Sequence, residues 1–190
     1  MNNSSGETVT RLSNRLTNLK ILRKLWDKGD LNSAVEHLST LYDSAKHDSS
    51  VLVTIADFFT AIELRGNGLS LDLCAKIMPF LEQLLTTPEG WASEYITSAV
   101  VKSFNSLLRA FGDLIVQTIS TYNNVVTGNS NRHQLGVDIS REQRIERCSI
   151  CYEILSRLEK RLDGMKLTHR KNLHILEDID KLQILLNKIT

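Results

Sequence analysis

The chain has 190 residues with a net charge of +1, only two prolines and nine glycines, and an aromatic share of 6%. That length suits one domain with a sizeable core, and the leucine-rich composition with no sustained Val/Ile/Thr alternation predicts an all-α fold and excludes a sheet. No apolar run approaches the roughly 18–20 residues of a membrane span, the N-terminus MNNSSGETVT lacks the basic-then-apolar order of a signal peptide, and three cysteines are too few for a disulfide framework.

A soluble intracellular protein in a reducing compartment is therefore expected, with no membrane and no nucleic acid among its partners. The small net charge hides an uneven distribution. Residues 1–30 carry six Lys/Arg against three Asp/Glu, residues 31–140 six against eleven, and residues 141–190 eleven against eight. Basic ends thus flank an acidic middle. Were the termini to meet, they would form a positive face for an acidic partner; otherwise the charges are an ordinary solvated surface.

In chain order, residues 1–8 are expected to be disordered, and a first helix runs from about Thr8 to Asp27. It places Leu12, Leu16, Leu19, Leu22, Leu25 and Trp26 inside. Gly29 ends it, and Asp30 caps a second helix over about 31–45. Ser49 or Ser50 starts a third, apolar almost all round in VLVTIADFF and so expected between neighbours. The GNG turn at 66–68 closes it, and without a preceding strand or a following lysine it is not a phosphate loop. Ser70 opens a fourth helix to about Leu85, with a kink at Pro79. Thr87 followed by Pro88 reads as the start of a fifth over about 88–110, and a sixth follows Gly112 to near Thr127. The polar stretch at 128–137 is expected to be a flexible loop.

The following stretch, GVDISREQRIERCSICYEIL at 136–155, carries the clearest local signals. Ser140 with Gln143 forms a capping box, which predicts a helix from Arg141. Ile145, Cys148, Tyr152, Leu155, Leu158 and Leu162 fall on one inward stripe, whereas Ile150 and Ile154 lie on roughly the opposite side and imply either a second buried neighbour or an exposed partner surface. Arg141, Arg144 and Arg147 occupy the first two turns, where the helix dipole disfavours cations. Gly164 then breaks the pattern, and Thr168 is expected to cap a last helix. Helices of this length joined by short turns predict one irregular antiparallel array of about seven or eight helices, resembling an armadillo or HEAT-like stack without a fixed period.

This stretch closely resembles the conserved C-terminal domain of the regulatory, non-catalytic subunit of katanin, the microtubule-severing ATPase. The resemblance continues upstream in LWDKGDLNSAV at 25–35, LSLDLCAKIMPFLEQLL at 69–85 and YITSAVVKSFNSLLRAFG at 95–112, covering roughly residues 17–160. It implies a module that binds the N-terminal helical domain of the catalytic ATPase subunit, contributes to microtubule binding and presents a surface to spindle-pole or minus-end adaptor proteins. It also implies localisation to cytoplasmic microtubules, the centrosome or the spindle pole. The β-propeller and long linker that usually precede this domain are absent from these residues, which implies a fragment or a short relative. Carried over, Arg144 and Arg147, with Arg141 behind them, are candidates for contact with tubulin or an acidic adaptor; alternatively Arg144 pairs internally with Asp138 or Asp113. A general helical adaptor unrelated to severing is the competing reading.

No chemistry competes with these binding readings. Cys148 and Cys151 form a CxxC with no second pair and no βαβ context, so a buried structural pair is expected, with Cys74 in the core. His169 and His174 are not on one helical face, and Glu177, Asp178 and Asp180 read as a solvated face. With no GxxxxGK[ST], GxSxG or HExxH, neither an enzyme nor a cofactor or metal site is expected. Among the aromatics, Trp91 and Tyr95 are candidate partner anchors, because such side chains bury large area with few rotors to freeze.

Overall fold

A computed structural model describes residues 3–45, 48, 50–62, 69–126 and 139–189. Among these residues there are nine helices and no strand, so the all-α expectation holds. The GNG turn and the expected flexible loop at 128–137 lie outside the described residues.

Helix α1 spans Asn3–Asp27, five residues more at its start than the leucine pattern suggests, so residues 3–8 are helical. Gly29, at φ +73°, turns the chain out of α1, with Gly29 N donating to Trp26 O (2.9 Å) and Asp30 N to Leu25 O (3.0 Å). This left-handed exit is the conformation that glycine adopts without Cβ strain. Asp30 then caps α2 (Leu31–Ala45) by accepting from Ser33 N at 3.3 Å. Asp48 accepts from Ser50 N (3.0 Å) where α3 (Ser50–Ala61) starts. Ser70 accepts from Leu73 N at 3.1 Å and caps α4, Leu71–Thr86, which runs on past Pro79.

Two boundaries differ from the sequence reading. Thr87 does cap at Pro88, accepting from Gly90 N at 3.0 Å, but that helix, α5, is only Pro88–Ala92. Ser93 caps afresh, through Ile96 N at 3.3 Å, and α6 runs unbroken over Glu94–Val126. Gly112 therefore does not end a helix. It is buried, and a Cβ there would lie 3.2 Å from Ile189 Cδ1, so the C-terminal segment packs closely on α6 at this point.

The remaining helices are α7 (Ile139–Glu159), α8 (Leu162–Thr168) and α9 (Leu173–Leu186). Because α7 starts at Ile139, Ser140 sits inside its first turn and not at the cap. Gly164 lies within α8, and Asn172 caps α9 in place of Thr168 by accepting from Ile175 N at 3.2 Å.

Helix α6, about 50 Å long at 1.5 Å per residue, is the spine. It packs on α3, α4, α5, α7 and α9, and Phe104, Leu107 and Ile115 on it are fully buried. Each such side chain contributes about 1.5–3 kcal/mol on leaving water. α1 packs on α2 and α3, while α9 packs on α6, α8 and α7. The helices at the two basic ends of the chain, α1 and α9, thus rest on different neighbours.

Candidate interaction surface

The arginine-bearing helix α7 lies against both α4 and α6, which explains its two apolar sides. Cys148, Cys151, Ile154, Leu155 and Leu158 are all buried, so the inward stripe is wider than expected and wraps toward a second neighbour. Ile154, at 2% exposure, serves the core and is no exposed partner anchor, whereas Ile150 is 39% exposed. Ile145 and Tyr152 are half-buried at the stripe's edge.

Cys74 of α4 meets this seam, with the Cys74 and Cys151 Sγ atoms 4.0 Å apart, and all three thiols are free and fully buried. The bond with Cys151 together with burial raises the Cys74 thiol and burial raises Cys148, while the bond with Cys74 draws Cys151 down; all three lie fully buried in the seam. The CxxC pair is thereby a structural element of the α4–α7 seam, and no group of three potential metal-ligating side chains occurs among the described residues.

The three arginines separate. Arg147 Nε donates to Asp72 Oδ1 at 2.9 Å, and Lys76 Nζ reaches Asp72 Oδ2 at 2.8 Å. Those partners, Lys76 first, hold the Asp72 carboxyl below its ordinary value. Arg147 is thus engaged inside the chain, across the α4–α7 joint. Below it Arg157 grips Glu82 with two bonds, Nε to Oε1 at 2.7 Å and Nη2 to Oε2 at 2.8 Å, a fork geometry that fixes orientation. Arg141, half-buried, and Arg144, exposed, line a cleft of about 200 Å³ with Thr118, Thr121 and Tyr122 of α6. The two guanidinium groups suit a carboxylate ligand, whereas the Thr121 hydroxyl already donates to Gln117 O at 2.7 Å.

The predicted aromatic anchors also have internal partners. Trp91 is half-buried, its Nε1 donating to Thr168 Oγ1 at 3.0 Å and its ring stacked over Gly164, 3.4 Å from where a Cβ would stand. Beside it His169, 3% exposed, places Nε2 3.1 Å from Trp91 O and 3.2 Å from Thr97 Oγ1. Tyr95 is 46% exposed and donates from its hydroxyl to Asp57 Oδ1 at 2.7 Å. Arg15 of α1 donates to the other oxygen of Asp57, so this one carboxylate ties α1, α3 and α6 together. His174 is exposed, Glu177 and Asp180 face solvent, and Asp178 is half-buried, its carbonyl accepting from Asn105 Nδ2 at 3.0 Å.

One apolar surface was assigned to the interior by its spacing. Leu12 and Leu16 are 57% and 54% exposed, with Val9 beside them at 64%. Only the later residues of the stripe, with Leu22 fully buried and Leu19 and Trp26 half-buried, reach α2 and α3. Periodicity locates an apolar face but not the length of the neighbour that covers it.

A model of the con80 domain of katanin matches residues 3–183. The chain belongs to this con80 domain family. Among curated relatives, katanin p80 WD40 repeat-containing subunit B1 of Danio rerio is 29% identical over 147 residues, which is 77% of this chain and 18% of the relative. A homologue of that subunit in Arabidopsis thaliana is 27% identical over 165 residues, 87% of this chain and 17% of the relative. The Gallus gallus subunit is 28% identical over 171 residues, 87% of this chain and 23% of the relative. The con80 chain thus spans about a fifth of the length of these relatives.

Proposed function

We propose that this chain is a regulatory binding module of the katanin complex. It engages the N-terminal helical domain of the catalytic ATPase subunit and contributes to microtubule binding, and so acts on severing at cytoplasmic microtubules and spindle poles. The family match over residues 3–183 carries the reading. The open cleft flanked by Arg141 and Arg144 supports the microtubule part, since tubulin's glutamate-rich tails offer the carboxylates that arginines recognise. Arg147, engaged with Asp72, has a structural part instead. Minus-end or spindle-pole adaptors with acidic segments would use the same chemistry.

The test is microtubule co-sedimentation of the chain alone and with the full-length catalytic subunit, over a salt series. Binding is expected to weaken as salt rises and with Arg141→Ala plus Arg144→Ala, and to change little with Arg147→Ala in a chain that remains folded. Neither microtubule nor subunit binding, from a chain shown to be helical, would reduce the family match to a shared fold and favour a general helical adaptor.

A further inference from the structure

Helix α1 is longer than anything it packs on. Its 25 residues extend about 38 Å, against about 22 Å for the 15 residues of α2 and about 18 Å for the 12 of α3. The excess lies at its N-terminal half, where Val9, Leu12 and Leu16 form one stripe at steps of three and four. At roughly 100° per residue this stripe lies beside, not opposite, the face carrying Arg15, Leu19 and Leu22, so it is exposed on the flank of the helix while Arg15 on the packed face reaches Asp57 of α3. Between the N-terminal half of α1 and α2–α3 runs a cleft of about 550 Å³, lined by Arg11, Leu12 and Arg15 of α1, Leu41 of α2, and Val51 and Thr54 of α3. Three large aliphatic side chains more than half exposed in a row, next to an open cleft, are costly for an isolated chain and signal a surface that is covered in use.

The charge around the stripe selects the occupant. Residues 1–30 carry six Lys/Arg against three Asp/Glu; Arg11 lines the cleft and exposed Lys20 follows the apolar row, while Arg23 is paired with Asp27 at 2.9 Å. A second copy of this chain would bring one +3 segment against another, whereas an amphipathic helix with acidic flanks would match both the apolar row and its rim. Tyr95 stands at the same shoulder, joined to α1 through the carboxylate of Asp57 that it shares with Arg15.

We infer that the exposed flank of the N-terminal half of α1, with Val9, Leu12 and Leu16 at its centre, receives an acid-flanked amphipathic helix of the catalytic subunit. This rests on the reading that the chain binds that subunit, and it moves the apolar contact from α7 to α1.

The deciding experiment is calorimetric titration of the 190-residue chain with the full-length catalytic subunit. Leu12→Asp with Leu16→Asp is expected to weaken binding by about 100-fold or more, since both anchors would be charged at the centre of the contact. Lys20→Glu should weaken it by a smaller factor that shrinks with added salt, and Ile150→Asp on α7 should leave it within about threefold. Both leucines are more than half exposed, so circular dichroism should show the variant folded; if the aspartates do unfold it, Leu12→Ser with Leu16→Ser probes the same surface. Wild-type binding that survives both double variants overturns the α1 surface while leaving the regulatory reading intact. Absence of binding by the wild-type chain defeats that reading, and the α1 surface with it. A concentration-dependent dimer in sedimentation, abolished by the leucine substitutions, would make a second copy the occupant and overturn the assignment to the catalytic subunit.

Discussion

Trp91 and Thr168 are 77 positions apart, yet the indole Nε1 donates to the threonine Oγ1 at 3.0 Å. The bond fastens the short helix α5 to α8, and the indole rests on Gly164 one turn earlier. Thr168→Val keeps the shape of the site and removes the acceptor. It is expected to cost about 1 kcal/mol and to lower Tm by about 2–4 °C for a chain of this size, read by thermal denaturation. Trp91→Phe should cost more, because the smaller ring also loses contact with Gly164. A Trp91→Phe chain as stable as wild type would show that the indole has no structural part here.

Two glycines have opposite expectations. A Cβ on Gly90 would sit 1.8 Å from the backbone oxygen of Leu84, so Gly90→Ala forces the corner between α4 and α5 to move. A loss of about 1–3 kcal/mol is expected in urea denaturation. A Cβ on Gly112 meets only the flexible end of Ile189, at 3.2 Å. There the helical preference for alanine over glycine, up to about 1 kcal/mol, outweighs a shift of a few tenths of an ångström, so Gly112→Ala should stabilise. Gly112→Leu should release Ile189 and destabilise.

The joint formed by Asp72, Lys76 and Arg147 makes part of the stability depend on pH. Its partners lower the Asp72 pKa in the folded chain, so the native state holds the proton less tightly than the unfolded chain does. The contribution is therefore fully present above the ordinary aspartate value of about 4 and is lost as pH falls below it. The side chains of Arg147 and Asp72 are 35% and 41% exposed, so solvent screening keeps the pair's contribution under about 1 kcal/mol. Wild type and Asp72→Asn, compared by urea denaturation, should differ by a constant amount from pH 5 to pH 7 and converge below about pH 4. A gap that persists at pH 3 would remove the carboxylate from the explanation.

All three cysteines are fully buried. A thiol reagent should find none of them in the native chain and all three in denaturant, with labelling at low denaturant following the opening of the α4–α7 seam. Fast native labelling of even one would show that the seam opens locally.

The helices from α2 to α4 and their caps at Asp30 and Ser70 were legible because capping chemistry is local: a side chain and a backbone N–H within three residues decide it. Gly112, Gly164 and Thr168 were misread as helix boundaries for the complementary reason. Each answers a residue far away in the chain, namely Ile189 for the first and Trp91 for the other two, and no local pattern carries that information. The arginine triplet stood out by spacing, but its division into Arg147, held by Asp72, and the cleft pair Arg141 and Arg144 depended on how α4 and α6 flank α7. Leu12 and Leu16 were placed inside because periodicity assumes a neighbour as long as the helix itself.

The unbroken run of α6 past Gly112 also sets a dimension. Tyr95, tied to α3 and α1 through Asp57, and Thr118, in the arginine cleft, belong to one continuous helix and are separated by about 35 Å of rise. No loop intervenes to absorb a change in that spacing. One residue inserted into the middle of α6 would turn the arginine end by about 100° relative to the α1 end and lengthen the separation by about 1.5 Å. Two ligands engaged at these ends would then meet the chain out of phase, although every residue touching either of them was unchanged.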